Sequence, residues 1–384
     1  MRRPWKTMGQ LRHVTEEFSR TGIPAWWPAL FDAAANASPF LSPAYVEVWV
    51  EVFSAPFSGQ WVSWYDGDTC VAGTVLLSRR SKRGPVPVHL LVIGTGAEDG
   101  ENSPWVEYHD VLCRAGYEDR VAASLADILA TMPWDRLYLP GFAADSVLER
   151  LFNGPLPGAR DSYARPSLFV PLAGGGAESY ERALSRNTRS QLRRSLKLYG
   201  ERGAVEITPA ANPDEAAVFM GELGELHRAL WRRRGSGGGF RTDEIMRFHR
   251  ALIARGQAAS HIDMVRASAG GTAIGYLYNL VHRGKVYFYQ SGFEYEADAK
   301  LKPGLCTHAL AIEHYGARGF SEYDFLAGDA RYKRSLAQGE RELHWAWIDR
   351  PNARMKTVNA AVGIKHWLEQ RMGRDHGGAE SEDE

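Results

Sequence analysis

Cysteine is scarce in this 384-residue chain: Cys70, Cys113 and Cys306 stand far apart, with no C-x-x-C pair. That spacing argues against a disulfide framework and a zinc site, so no metal is expected, and it suits a reducing compartment. An excess of one charge is lacking too, since 46 Lys plus Arg balance 46 Asp plus Glu. Without a net field the whole molecule does not gather nucleic acid, and no DNA partner is expected. No apolar run approaches the roughly 20 residues of a membrane span. The opening MRRPWKTMGQ has no apolar stretch of the signal-peptide kind. The expectation is a cytoplasmic protein without membrane insertion. What is present is an ordinary globular balance, 44% hydrophobic and 24% charged. The 12 Trp and 16 Tyr suffice for large aromatic cores or ligand-lined clefts. At about 100–200 residues per domain, the length points to two domains.

Periodicity suggests one order of elements used twice. Residues 1 to 24 read as polar and irregular. Helices are expected at 25–35 and 43–53, then a hairpin of 60–65 and 70–78 turning at Asp66, Gly67 and Asp68. A strand at 86–93, a helix at 118–131 and a strand at 136–139 follow. After Gly174, Gly175 and Gly176, a basic helix spans 180–199 and a second helix 214–234, with Phe219, Leu223, Leu226 and Leu230 as its apolar stripe. Segments 262–266 and 272–281 form a hairpin. The domains expected are 1–175 and 176–372, with a disordered acidic tail at 373–384.

The most informative stretch is 286–333. Residues 286–291 are β-branched and aromatic, fitting a buried strand. Pro303 opens a helix with Leu305, Ala309 and Ile312 on one face. Residues 322–326 form the next strand. A crossover of this length joins parallel strands, and it aims the free amides of the helix start beyond the strand ends, where they suit a pyrophosphate.

YQSGFEYE, KPGL and YDFLAGDARYK in this stretch resemble the acyl-CoA-binding half of GNAT N-acyltransferases. The closer resemblance is to the tandem-domain branch, with FemABX-type aminoacyltransferases and CelD-like proteins of bacterial polysaccharide clusters. The family's phosphate loop is richer in Gly and begins with Gln or Arg; here Lys300, Lys302 and Gly304 approximate it. The fold implied is α/β with a mixed sheet: two tandem GNAT-like domains packed around a cleft. The resemblance implies donor contacts at Tyr289, Gln290 and Ser291, at Lys300, Lys302, Pro303, Gly304 and Leu305, and at Lys333. The donor implied is acetyl-CoA or another acyl-CoA.

Acyl transfer from a thioester needs a polarised carbonyl, a deprotonated amine and a protonated leaving thiolate. In the family a Tyr after the second strand protonates the thiolate, and Tyr332 occupies the corresponding place; its other reading is a core contact at a helix start. Asp324 and Asp329 are the carboxylates able to accept the amine proton. Asp324 is alternatively a buried ion-pair partner of Lys333 or an Arg, and Asp329 a helix cap. Arg182, Arg186, Arg189, Arg193 and Lys197 form a cationic stripe suited to phosphate, or else a solvated face. His227, Trp231 and Arg234 lead into a glycine-rich loop ending at Phe240, a candidate lid over the acceptor or a surface turn. Tyr108, His109 and Asp110 are read as structural.

The reaction implied is N-acylation of an amine, such as an amino sugar or a cell-envelope precursor, with small-molecule donor and acceptor as partners. Two alternatives stand beside it. One is an aminoacyl-tRNA donor, which would make tRNA a partner. The other is a non-catalytic GNAT-like scaffold in polysaccharide synthesis.

Overall fold

A computed structural model describes residues 11–83, 86–96, 102–172, 177–235, 238–259, 261–358 and 360. The expected acidic tail, the Gly174–Gly175–Gly176 punctuation and loop residues Ser236 and Gly237 lie outside them. The chain divides into two compact units. Unit 1 takes the chain up to Glu101, Trp105–Ala164 and the stretch from His344; unit 2 takes Asn102–Pro104 and Arg165–Leu343.

Unit 1 runs β1 (Arg12–Glu17), α1 (Trp26–Ala33), α2 (Pro43–Phe53), β2 (Ser58–Asp66), β3 (Thr69–Arg83), β4 (Val86–Ile93), the short β5 (Leu112–Cys113), α3 (Glu118–Thr131), β6 (Arg136–Ala143) and α4 (Val147–Phe152). The first strand corrects the expectation of an irregular start. RHVTEE buries no residue, so the burial pattern that marks a strand is missing from it, and pairing with β2 makes it one. Strands β1, β2, β3 and β4 are antiparallel neighbours, and β4 and β6 are parallel across α3. Val62, Trp64, Leu91, Leu125, Leu129 and Leu137 are central in its core, and each such side chain contributes about 1.5–3 kcal/mol by burial.

β7 (Ala159–Pro171) follows, and then unit 2 runs α5 (Ala177–Ala183), α6 (Arg186–Gly200), β8 (Val205–Pro209), α7 (Pro213–Arg233), α8 (Asp243–Ala258), β9 (Ile262–Ala269), β10 (Thr272–His282), β11 (Lys285–Phe293), α9 (Pro303–Ala317), β12 (Glu322–Ala327) and α10 (Arg331–Leu336). The last strand is β13 (Gly339–Asp349). The basic helix expected at 180–199 is two helices. The Ser185 hydroxyl accepts from Thr188 N–H at 3.1 Å and starts α6 afresh, which puts Arg182 on a different helix from Arg186. Sequence reading also missed β7, β8, α8 and β13.

The order strand, two helices, three strands, helix, strand, helix is common to both units. In unit 2, β8, β9, β10 and β11 are antiparallel neighbours and β11 and β12 are parallel across α9. Ser167 to Pro171 of β7 pair with β12. α9 is buried on most of its circumference, Cys306, Ala309, Ile312 and Tyr315 included, because α5, α6 and the sheet all pack on it. The expected stripe on α7 is corrected as well. Leu226 and Leu230 are only half-buried, whereas His227 is buried in line with Phe219 and Leu223.

Candidate active site

The parallel pairing of β11 with β12 covers Lys285↔Glu322, Val286↔Tyr323 and Tyr287↔Asp324, and then the strands part. Both strands are bent at the same level. On β11 the register against β10 jumps from Tyr278↔Gln290 to Asn279↔Phe288, leaving Tyr289 as a bulge residue. On β12 the register against β7 jumps from Asp324↔Phe169 to Ala327↔Ser167, and Leu326 takes a positive φ of 60°. That conformation is costly for a γ-branched side chain and must be held. The Asp324 carboxylate holds it: Oδ1 accepts from Leu326 N–H at 2.7 Å and from the Ser167 hydroxyl at 2.8 Å. Asp324 is fully buried, and the Arg341 guanidinium lies 4.0 Å from its Oδ2. Its cationic partner is therefore Arg341 rather than Lys333, and its carboxylate shapes the fork.

The helix start lies beyond the fork. Lys302 N–H donates to the Ser195 hydroxyl of α6 at 2.8 Å, fixing where α9 begins. Ser195 is fully buried, and Cys306 Sγ lies 3.2 Å from the same oxygen. Pro303 has no N–H, so Gly304 and Leu305 supply the outward-facing amides of the first turn. Lys300 is exposed and Lys302 half-buried. A side chain at Gly304 would meet the Phe293 ring at 3.1 Å.

α10 brings Tyr332 and Lys333 to the same place. Tyr332 is half-buried and stacks on His308 of α9, with ring centroids 5.5 Å apart and planes at 19°. The Lys333 ammonium is buried and donates to Ala327 O at 2.7 Å, at the end of β12. Asp329, in the loop after β12, is exposed and ion-paired with Arg334.

A second cluster gathers on α7 and the segment 238–240. Gly239 N–H donates to His227 Nε2 at 3.1 Å, so the ring proton sits on Nδ1 and reaches Ser291 O at 3.3 Å. Burial holds this imidazole neutral, with its pKa down at about 4. His227 thus ties the loop to β11 as a hydrogen-bonding strut. Phe240 packs edge-on to it at 4.8 Å, Trp231 lies 5.8 Å away, and the Arg234 guanidinium sits over the Trp231 ring at 5.4 Å. Gly238, at φ 60°, has no room for a side chain: a Cβ would lie 2.5 Å from both His227 and Trp231. Tyr289, Tyr278 and His249 continue the cluster, with Tyr289 5.1 Å from His249.

The basic residues of α6 are divided. Arg189 donates to the carbonyls of Arg182 and Leu184 at 2.8 and 2.9 Å, closing the end of α5, and Arg193 pairs with Glu181. Arg186 and Lys197 are exposed. Ser195, Thr307, His308, Tyr323 and Arg341 were not singled out by sequence reading. Isolated polar residues inside helix or strand patterns give no signal of their own.

Unit 1 has the same fork and fills it. β4 and β6 pair over Leu90↔Arg136, Leu91↔Leu137 and Val92↔Tyr138. Beyond that, His109 N–H donates to Gly141 O at 2.9 Å, and the buried imidazole lies against Gly94, where a Cβ would be 1.5 Å from Nε2. Asp110 accepts from the amides of Val147 and Leu148, both at 3.1 Å, and so caps α4.

A bulged strand that parts from its parallel neighbour beside a helix start in unit 2, with a like parting of β4 and β6 in unit 1, gives two tandem GNAT-like units. Residues 186–334, inside unit 2, match the family model described as an Acetyltransferase (GNAT) domain. Among solved structures, FemX is similar at 11% identity and a TM-score of 0.55, over 87% of this chain and 97% of that one. L-PGS from Bacillus licheniformis is similar at 10% identity and a TM-score of 0.54, over 89% and 97%. At such identities the likeness speaks for the fold alone. No curated protein matches the chain. Among the described residues, no helix is long and apolar enough to cross a membrane, and no group of three His, Cys, Asp or Glu is arranged to hold a metal ion.

Proposed function

We propose that unit 2 is a cytoplasmic N-acyltransferase that takes an acyl group from acyl-CoA, acetyl-CoA first among them, to an amine of an amino sugar or cell-envelope precursor. The fork between β11 and β12 carries this reading, because it leaves backbone groups of β11 unpaired by β12 beside the amides of Gly304 and Leu305. A donor lying there would set its diphosphate against the α9 start and its thioester against β11 past the Tyr289 bulge. The amine attacks the thioester carbon and gives up its proton to a base. Asp329 is the base candidate open to solvent, since Asp324 is engaged in the bend of β12. Collapse of the intermediate expels the thiolate, and the Tyr332 phenol gives it a proton that water later restores. His227, Trp231, Arg234 and Phe240 would border the acceptor.

A second reading keeps the fold and takes an aminoacyl-tRNA donor. The exposed Arg186 and Lys197 of α6 favour it, as contacts for phosphate. Calorimetric titration with CoA, acetyl-CoA and charged tRNA separates the two, and a thiol-release assay with a panel of amines measures turnover. Tyr332→Phe is expected to lower kcat about 100-fold with donor Kd unchanged, because only the transition state loses a contact. Full turnover in that variant removes Tyr332 from the mechanism. Binding of tRNA without CoA replaces the donor, and turnover with neither favours a scaffold.

A further inference from the structure

Phe288 and Phe325 are the first residues past the last paired positions of the fork, and His308 lies across them. Its ring is 4.5 Å from Phe288, 5.3 Å from Phe325 and 5.8 Å from Phe293, besides its stack on Tyr332. The ring is fully buried, with Nδ1 3.0 Å from the Tyr323 hydroxyl. Nε2 is buried and meets no hydrogen-bond partner among the described residues. The next residue back on α9, Thr307, has a buried hydroxyl in the same condition. Burial, helped by the charge of Lys333, keeps the imidazole neutral, with its pKa down at about 3.

A phenylalanine at 308 together with one at 323 would fill this aromatic slot without leaving a polar atom unmet, so packing alone does not account for the histidine. The Tyr323 hydroxyl can donate to Nδ1 or accept from it, which leaves Nε2 needing either an N–H or a C=O partner. An amide offers both. We propose that His308 Nε2 is a binding contact for an amide-bearing donor arm of the pantetheine type, threaded between α9 and α10 past the ring of Tyr332. This rests on the reading of the fork as the donor site.

The test compares CoA, which carries that arm, with adenosine 3′,5′-bisphosphate, which lacks it, by calorimetric titration. The double variant His308→Phe/Tyr323→Phe removes both members of the hydrogen bond and keeps the aromatic packing. It is expected to melt no lower than wild type and to bind CoA about tenfold or more weakly, with adenosine 3′,5′-bisphosphate unaffected. His308→Asn, which keeps a polar atom near Tyr323 but ends short of Nε2, should weaken CoA likewise. His308→Gln, whose amide reaches that position, should restore it. These single variants decide the matter if the double variant does not fold. Equal CoA affinity in folded His308→Asn or in the double variant overturns the contact and leaves the donor site standing. Absence of CoA binding by wild type removes both.

Discussion

Replacing Asp324 by Ala tests whether the fork is a built feature. The carboxylate accepts two buried hydrogen bonds, from Leu326 N–H and the Ser167 hydroxyl. Bonds to a charged group contribute about 1.5–3 kcal/mol each, and their loss leaves two buried donors unmet. Arg341 is not stranded, because it keeps Glu322 Oε2 at 2.6 Å and stays over the Phe169 ring. The sum is a destabilisation of about 3–6 kcal/mol, at the upper end for single substitutions. For a unit of this size each kcal/mol is worth roughly 2–4 °C, so the melting temperature should fall by about 6–24 °C. Asp324→Asn keeps an acceptor at Oδ1 and should lose about 1–2 kcal/mol, and Ser167→Ala a similar amount. Guanidinium titration and scanning calorimetry measure all three. If Asp324→Ala melts within about 1 °C of wild type, its carboxylate does not hold the positive-φ turn at Leu326.

Acid should weaken unit 2 before most carboxylates titrate. His227, His249 and His308 are buried and neutral, with pKa values held at about 4, 3 and 3 by burial. The unfolded chain protonates them near 6.5, so their contribution is whole above that pH and is lost as pH falls toward the folded values, by up to ~1.4 kcal/mol per pH unit for each. Chemical denaturation between pH 7.5 and 5 reads this, and a flat profile refutes it. Gly304→Val, which must push the Phe293 ring aside, should weaken CoA binding about tenfold in a folded protein; unchanged affinity counts against the donor site. Arg189→Gln should lower the melting temperature through loss of the α5 end contacts, by about 1 kcal/mol, and leave substrate KM unchanged. A raised KM without a stability loss would return Arg189 to phosphate binding.

The stretch from Val286 to Lys333 was legible because its periods change cleanly from strand to helix and back, with Pro303 marking the helix start. Length and element order sufficed for two α/β units, since each crossover carries its own local pattern. Residues that act through distant partners were not legible. β1 has no buried face, and only pairing with β2 makes it a strand. Asp324 and Ser167 are 157 positions apart, and only the folded sheet turns them into the device that bends β12. Arg189 belongs to a charged stripe in the sequence but spends its donors on the end of α5, a contact that exists because Ser185 breaks the helix. His308 looked like any helix residue until α9 packed it across the first unpaired residues of β11 and β12. Local pattern therefore determined the elements of the crossover and their order. Tertiary packing decided which polar groups are satisfied, because hydrogen-bond partners are matched by distance in space and not by spacing along the chain.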